Sequence, residues 1–228
     1  MAAADAFLTM VHDGPFADIF RALQAKEIFA TIGEHAGKIN ASSFQPVFAT
    51  LQSYASDSFV LAVTRLLDRE RNQYQLQSTH GVLKFLKAHI EEIPLKEPVF
   101  VRQAGMRLGY RIDSFEENPT AIVDVLMDRL PHPDENLALN QLKALRDKRI
   151  AHPERISAES LPAPTWESAM TLLKIPTEAL AVSGAYTSTG FVDNQGRLLI
   201  DSDAKRAAFA TLRLLREIDI APGRALDG

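Results

Sequence analysis

The chain contains no cysteine, and that absence removes disulfides, thiolate zinc sites and cysteine nucleophiles together. It fits a reducing compartment, and a cytoplasmic protein is the expectation. No stretch approaches the roughly 18 consecutive apolar residues of a membrane helix. The opening residues, from Met1 to Met10, have neither a basic n-region nor a sustained apolar core, so a secretory signal is not expected. Glycine-rich phosphate loops of the GxGxxG and Walker kinds are missing, as are HExxH and GxSxG. The sequence therefore points to no nucleotide cradle, zinc hydrolase or acyl-transfer nucleophile, and no cofactor or metal is expected. His12, His35, His80, His89 and His132 are scattered singly, none with a partner at metal-binding spacing. There is no internal repeat, low-complexity linker or heptad run.

What is present is ample apolar material. With 228 residues, 46% of them hydrophobic, the chain can bury the core of one large domain. Its net charge of −4 means that any binding of phosphate must come from a local patch rather than from the surface as a whole.

The apolar residues recur at helical spacing almost throughout. Residues 1–13 are expected to form a flexible N-terminus, 14–220 a single helical domain and 221–228 a loose tail. Asp13-Gly14-Pro15 reads as the cap and first turn of a helix through Ile19, Leu23 and Ile32. A longer helix begins near Ser42 or Ser43 and carries Phe44, Val47, Phe48, Leu51, Ala55, Phe59, Ala62 and Leu66 on one stripe. Ser78 is placed to cap a helix through Leu86 and Ile90, stopped by Pro94, and a short helix fits 99–108. Asn118-Pro119-Thr120 opens a helix through Leu130, and Asp134 is the expected cap of the next, which runs into Leu145. Thr165 should cap a helix from Trp166 to about Tyr186, kinked at Pro176. Ser202 should cap a last helix. The only strand-like passage, 191–200, suggests a small β-hairpin around Gly196. The fold class expected is all-α, a bundle of five to seven helices.

Chemistry clusters in one stretch, Leu145-Arg146-Asp147-Lys148-Arg149-Ile150-Ala151-His152-Pro153-Glu154. An arginine followed four to six residues later by a histidine is weak evidence: with 6 histidines in the chain, chance alone yields roughly one such match. The setting carries more. Lys143, Arg146, Lys148, Arg149 and Arg155 outnumber Asp147 and Glu154 by three within a chain of negative total charge. Pro153 also biases His152 away from the α region, so the helix should stop at or just before the histidine. In an uninterrupted helix Arg146 and His152 would lie roughly 120° apart and about 9 Å along the axis. A stop at Ala151 lets the imidazole turn back, and a two-fold partner offers another way to complete a site. Against this stands a plain structural role, in which the cations complement a helix C-terminus and His152 caps it. Asp57, Arg65 and Asp68, on or beside the long second helix, read most simply as intramolecular pairs that fix helix contacts.

Residues 145–152, Leu-Arg-Asp-Lys-Arg-Ile-Ala-His, resemble the signature of the HEPN (higher eukaryote and prokaryote nucleotide-binding) superfamily, and look closest to its AbiU-like abortive-infection branch. Asp57-Ser58-Phe59-Val60-Leu61-Ala62-Val63-Thr64-Arg65-Leu66-Leu67-Asp68 is similar to that branch's second block. The likeness covers roughly residues 15–185. It implies a helical bundle that dimerises so that two Arg/His motifs face one cleft, and metal-independent endoribonuclease activity of a toxin or antiphage-defence kind. By the same resemblance, Arg146 would hold the scissile phosphate, His152 would handle the proton, and Asp147 matches the polar residue that follows the motif's arginine. Lys148, Arg149 and Arg155 would be auxiliary substrate contacts. RNA, a second copy of the chain and an antitoxin protein are the partners implied. The alternative within the family is a non-catalytic module that binds RNA or a protein. One departure is clear: toxins neutralised by a partner nucleotidyltransferase carry a tyrosine two residues beyond the histidine, where this chain has Glu154. Neutralisation by that route is not expected here.

Overall fold

Residues 2–69, 76–110, 120–151 and 162–220 are described by the computed structural model of the chain, with side chains in the third segment described to Lys148. The architecture is all-α. Among the described residues no helix is long and apolar enough to cross a membrane.

The N-terminus departs from the flexible segment expected over 1–13. Helix α1 (Ala3–Val11) packs Phe7, Met10 and Val11 into the core, with Phe7 and Val11 wholly buried. It does not stop at Asp13-Gly14-Pro15. A π-helical turn, His12–Phe16, carries the chain directly into α2 (Ala17–Glu34), so Asp13 is not a cap. Proline has no N–H to donate, and a widened turn accommodates it without ending the helix. Gly14 is fixed by a neighbour distant in sequence: a Cβ there would lie 2.0 Å from the Gln77 carbonyl oxygen. That contact is what the local Asp-Gly-Pro signal could not reveal.

After the short α3 (Ala36–Asn40), α4 (Gln45–Leu66) lies along α2. Pro46 sits in its first turn, where a missing donor costs nothing. The expected stripe divides into two. Phe48, Ala55, Phe59, Ala62 and Leu66 are buried, whereas Phe44, Val47 and Leu51 join Tyr54 and Leu61 as exposed large apolar side chains. Ser78 caps α5 (Thr79–Ala88), its Oγ accepting from the Gly81 N–H at 3.2 Å. Then follow α6 (Pro98–Arg107), α7 (Ala121–Arg129) and α8 (Leu137–Leu145). The cap of α8 is Asn136, whose Oδ1 accepts from the Leu139 N–H at 3.0 Å, two residues beyond the Asp134 expected.

Thr165 caps α9 (Trp166–Thr171) through the Ser168 N–H, as its sequence context suggests. The helix then breaks at Leu172–Leu173 rather than bending at Pro176, which instead lies buried in the first turn of α10 (Lys174–Thr187). Helix α10 is the most enclosed element, with Ala179 to Tyr186 buried throughout. Burial holds the Tyr186 phenol up at about 12. The passage 191–200 contains a single antiparallel bridge, Val192 to Leu198, rather than a ladder, with Gly196 at φ +80° in its turn. The last helix, α11 (Asp201–Glu217), starts from Ile200 without a side-chain cap, so Ser202 does not serve as one. It packs on α2.

One buried polar contact ties α6 to α10. The Arg107 guanidinium donates to both Glu178 carboxylate oxygens, Nε at 2.8 and 3.1 Å and Nη2 at 2.8 Å. Both side chains are largely out of water, 18% and 8% exposed. Gly196 lies against the arginine stem, with its ideal Cβ position 2.7 Å from Arg107 Cδ.

Candidate functional site

The two sequence blocks that carry the resemblance meet in space. Arg146 follows the end of α8 and begins a π-helical turn, Arg146–Ala151. Asp68 lies two residues beyond the end of α4. The Arg146 Nη1 donates to Asp68 Oδ2 at 2.9 Å and Oδ1 at 3.2 Å, across 78 residues of sequence. Its Nε donates to Asp147 Oδ1 at 2.7 Å. Lys143, one helical turn earlier, reaches Asp68 Oδ1 at 3.1 Å. Neither of the arginine's pairs uses Nη2. Partial burial works against the Arg146 charge, but the hydrogen bond it donates to Asp147 and the field of Asp68 outweigh it, so its pKa lies above the ordinary arginine value. Arg146 is therefore a permanently charged group held by two carboxylates. Asp68 also does what the plain packing reading expects, since it pairs within the chain and fixes α4 against α8.

Lys148 is exposed on the same turn. Arg149 lies in that turn by its backbone, and its side chain is outside the described residues. His152 and Arg155 fall outside the described residues as well, so the second half of the Arg/His pair is located by sequence alone. The segment that precedes it is π-helical instead of the α-helix expected. A π turn takes in more residues than an α turn, so the 120° offset computed for a regular helix does not apply. Such turns recur at functional sites.

A second charged cluster adjoins the first. Asp18, on α2, is 1% exposed; its Oδ1 accepts from Arg21 Nη1 at 3.0 Å, and Arg65 Nε stands 3.6 Å from its Oδ2. Asp18, Arg65, Asp68, Leu76, Gln77 and Ser78 line an open cleft of about 250 Å³. Burial raises the Asp18 pKa above the ordinary carboxylate value, in opposition to the pull of Arg65 and Arg21. A buried carboxylate whose ionised form is disfavoured, placed at the wall of a cleft, is a candidate site residue, although structural ion-pair networks perturb carboxylates in the same way. Sequence reading did not single out Asp18. The available signal was its position, four and seven residues before Ala22 and Ala25, which puts a charged group on a face that is otherwise buried.

The raised pKa gives a pH-dependent prediction. The folded state keeps the Asp18 proton to a higher pH than the unfolded chain does, so stability falls as pH rises through the window just above 3.8 and stays lower beyond it. Asp18→Asn removes that slope. Thermal melts of variant and parent across the mildly acidic range should show the variant gaining on the parent as pH rises. A difference that shrinks or stays constant over that range would contradict the assigned direction.

No protein-family model, curated protein or solved structure matches the chain. The site stands on its own residues.

Proposed function

We propose that the protein is a metal-independent endoribonuclease of the HEPN type, acting as a toxin or in antiphage defence, with its site composed across a homodimer. The observation that carries this reading is the pairing of Asp68 with Arg146. It brings the block 57–68 and the block 145–152 together around one guanidinium. In the proposed reaction His152, an imidazole able both to take and to give a proton, acts as general base on a ribose 2′-hydroxyl or as the acid on the leaving 5′-oxygen. The 2′-oxygen attacks the adjacent phosphorus, the bond to the 5′-oxygen breaks, and a cyclic phosphate remains on the upstream fragment. Arg146 stabilises the charge that grows on the phosphate oxygens, using the Nη2 edge that Asp68 and Asp147 leave open. Asp147 orients the guanidinium, and Lys148, Arg149 and Arg155 supply further phosphate contacts whose share weakens with salt.

The exposed side of α4 supports the second copy. Phe44, Val47, Leu51, Tyr54 and Leu61 fall at the alternating three- and four-residue spacing of a helix-pairing seam. From Gln45 to Thr64 the only charged residue is Asp57. At 1.5 Å per residue the seam is about 25 Å long, and it ends beside Arg65 and the cleft. A monomer rarely leaves such a strip to water. An antitoxin protein competing for that strip is a further partner the reading allows.

The test is incubation with total RNA, with and without EDTA, for the parent and His152→Ala. Fragments ending in a cyclic phosphate, formed in EDTA by the parent and not by the variant, are expected, while DNA stays intact because it lacks the nucleophile. Cleavage lost in EDTA, or equal cleavage by His152→Ala of matched stability, would refute the mechanism. Binding of RNA by a parent that never cuts would favour the non-catalytic module.

A further inference from the structure

The cleft between α2, the end of α4 and the start of α5 has a chemistry that the reaction above leaves unused. It is too small for a whole nucleotide with its sugar and phosphate, since sites for drug-sized ligands run from about 300 Å³ upward, but it accommodates one planar heterocycle. Its lining divides by kind. Asp68, 29% exposed, presents carboxylate oxygens, which accept hydrogen bonds when ionised, and the 1% exposed Asp18 anchors Arg65. Arg65, 52% exposed, presents a guanidinium whose Nε stands 3.6 Å from Asp18 Oδ2. Gln77 adds an exposed amide and Leu76 an apolar wall.

Among the four RNA bases, guanine answers both halves of that set. It carries two adjacent donors, N1–H and the N2 amino group, which a carboxylate accepts together, and two adjacent acceptors, O6 and N7, which a guanidinium contacts in pairs. Adenine and cytosine each offer a single amino group beside an acceptor, and uracil a single N–H between two carbonyls. Asp68 also links this cleft to the phosphate-holding group, because the carboxylate that lines it accepts from Arg146 at 2.9 Å. A base in the cleft and its neighbouring phosphate on Arg146 would thus share one wall.

We propose that the cleft walled by Asp18, Arg65, Asp68 and Gln77 is a guanine-reading subsite for single-stranded RNA, next to the phosphate held by Arg146. The proposal rests on the RNA-cleaving reading for its substrate class and goes beyond it in naming the base. An unpaired guanosine is required, since its Watson–Crick edge must be free to meet the carboxylate.

The test separates base reading from cleavage. His152→Ala is titrated with short oligouridylates carrying one central guanosine, adenosine, inosine or 7-deazaguanosine, and binding is followed by fluorescence anisotropy. Guanosine is expected to bind about tenfold or more tighter than adenosine, as one bidentate base contact allows. Inosine, which lacks the N2 amino group, and 7-deazaguanosine, which lacks N7, should each lose part of that advantage. Arg65→Ala, a change at a half-exposed side chain, should bring the guanosine-to-adenosine ratio close to one. Equal binding of all four oligonucleotides, or a guanosine preference that survives Arg65→Ala, overturns the subsite. Guanosine preference in a protein whose parent does not cut RNA upholds the subsite and removes the nuclease. Cutting by the parent without any base preference does the reverse.

Discussion

Glu178→Ala is expected to destabilise the protein by about 3–5 kcal/mol, the cost typical of removing one partner from a buried ion pair. The reason lies in what is left behind. Arg107 is 18% exposed, donates three hydrogen bonds to Glu178, and already has a buried Nη1 without a hydrogen-bond partner among the described residues. Without the carboxylate, a guanidinium that cannot lose its charge would stay pinned between α6, α10 and Gly196. A typical domain has only about 5–15 kcal/mol of total stability, so the variant should unfold at much lower urea or fail to accumulate. The pair itself contributes less than this figure suggests, because bringing both charges out of water offsets much of their attraction. Exchanging both residues for apolar ones of similar volume should therefore cost far less than Glu178→Ala alone. Urea titrations of the two variants decide the matter, and a Glu178→Ala midpoint close to the parent's would show that Arg107 finds water or another partner.

Arg146→Ala is expected to lower RNA cleavage by about 10²–10³, the usual loss when one preorganised donor to a developing oxyanion is removed. Its effect on folding should be modest. Asp68 is 29% exposed and keeps Lys143, and Asp147 is exposed at 57%, so the freed carboxylates remain solvated. Arg146→Lys should recover little of the rate, since an ammonium cannot be gripped by two carboxylates on different edges while presenting a third edge outward. Initial rates on a defined RNA, with melting curves as control, test this. An alanine variant that cuts at the parental rate would end the case for Arg146 as the phosphate-holding group.

The helical class was legible because the apolar spacing is regular, and the caps at Ser78 and Thr165 were legible because the side chain acts within three residues of itself. The errors share a cause in long-range contacts. Asp13-Gly14-Pro15 has every local mark of a helix start, yet the close approach of Gln77 and the burial of Phe7 keep the helix running through it. In α4 the apolar residues were visible, but whether a given one faces α2 or water depends on where the neighbouring helices lie. The site was legible in part. Arg146 and Asp68 stand in conspicuous blocks, and Asp147, Lys148 and Arg149 follow Arg146 on the same turn. Asp18 was not legible, because a lone carboxylate in an apolar helix says nothing about which arginine will reach it from another helix.

The π turn at Arg146–Ala151 bears on how the chain tolerates changes in length. A turn of this kind accommodates an extra residue without unravelling the helix on either side. Deleting one residue within it would let the segment close into ordinary α-helix with almost no net change of rotation, since an α turn advances about as far with one residue fewer. The core beneath α8 would hardly register the loss, since Leu139 and Leu142 lie upstream. In this segment a shortening by one residue is therefore expected to leave a well-folded protein, whereas the same deletion inside α8 would turn every later residue of the helix by about 100° about its axis.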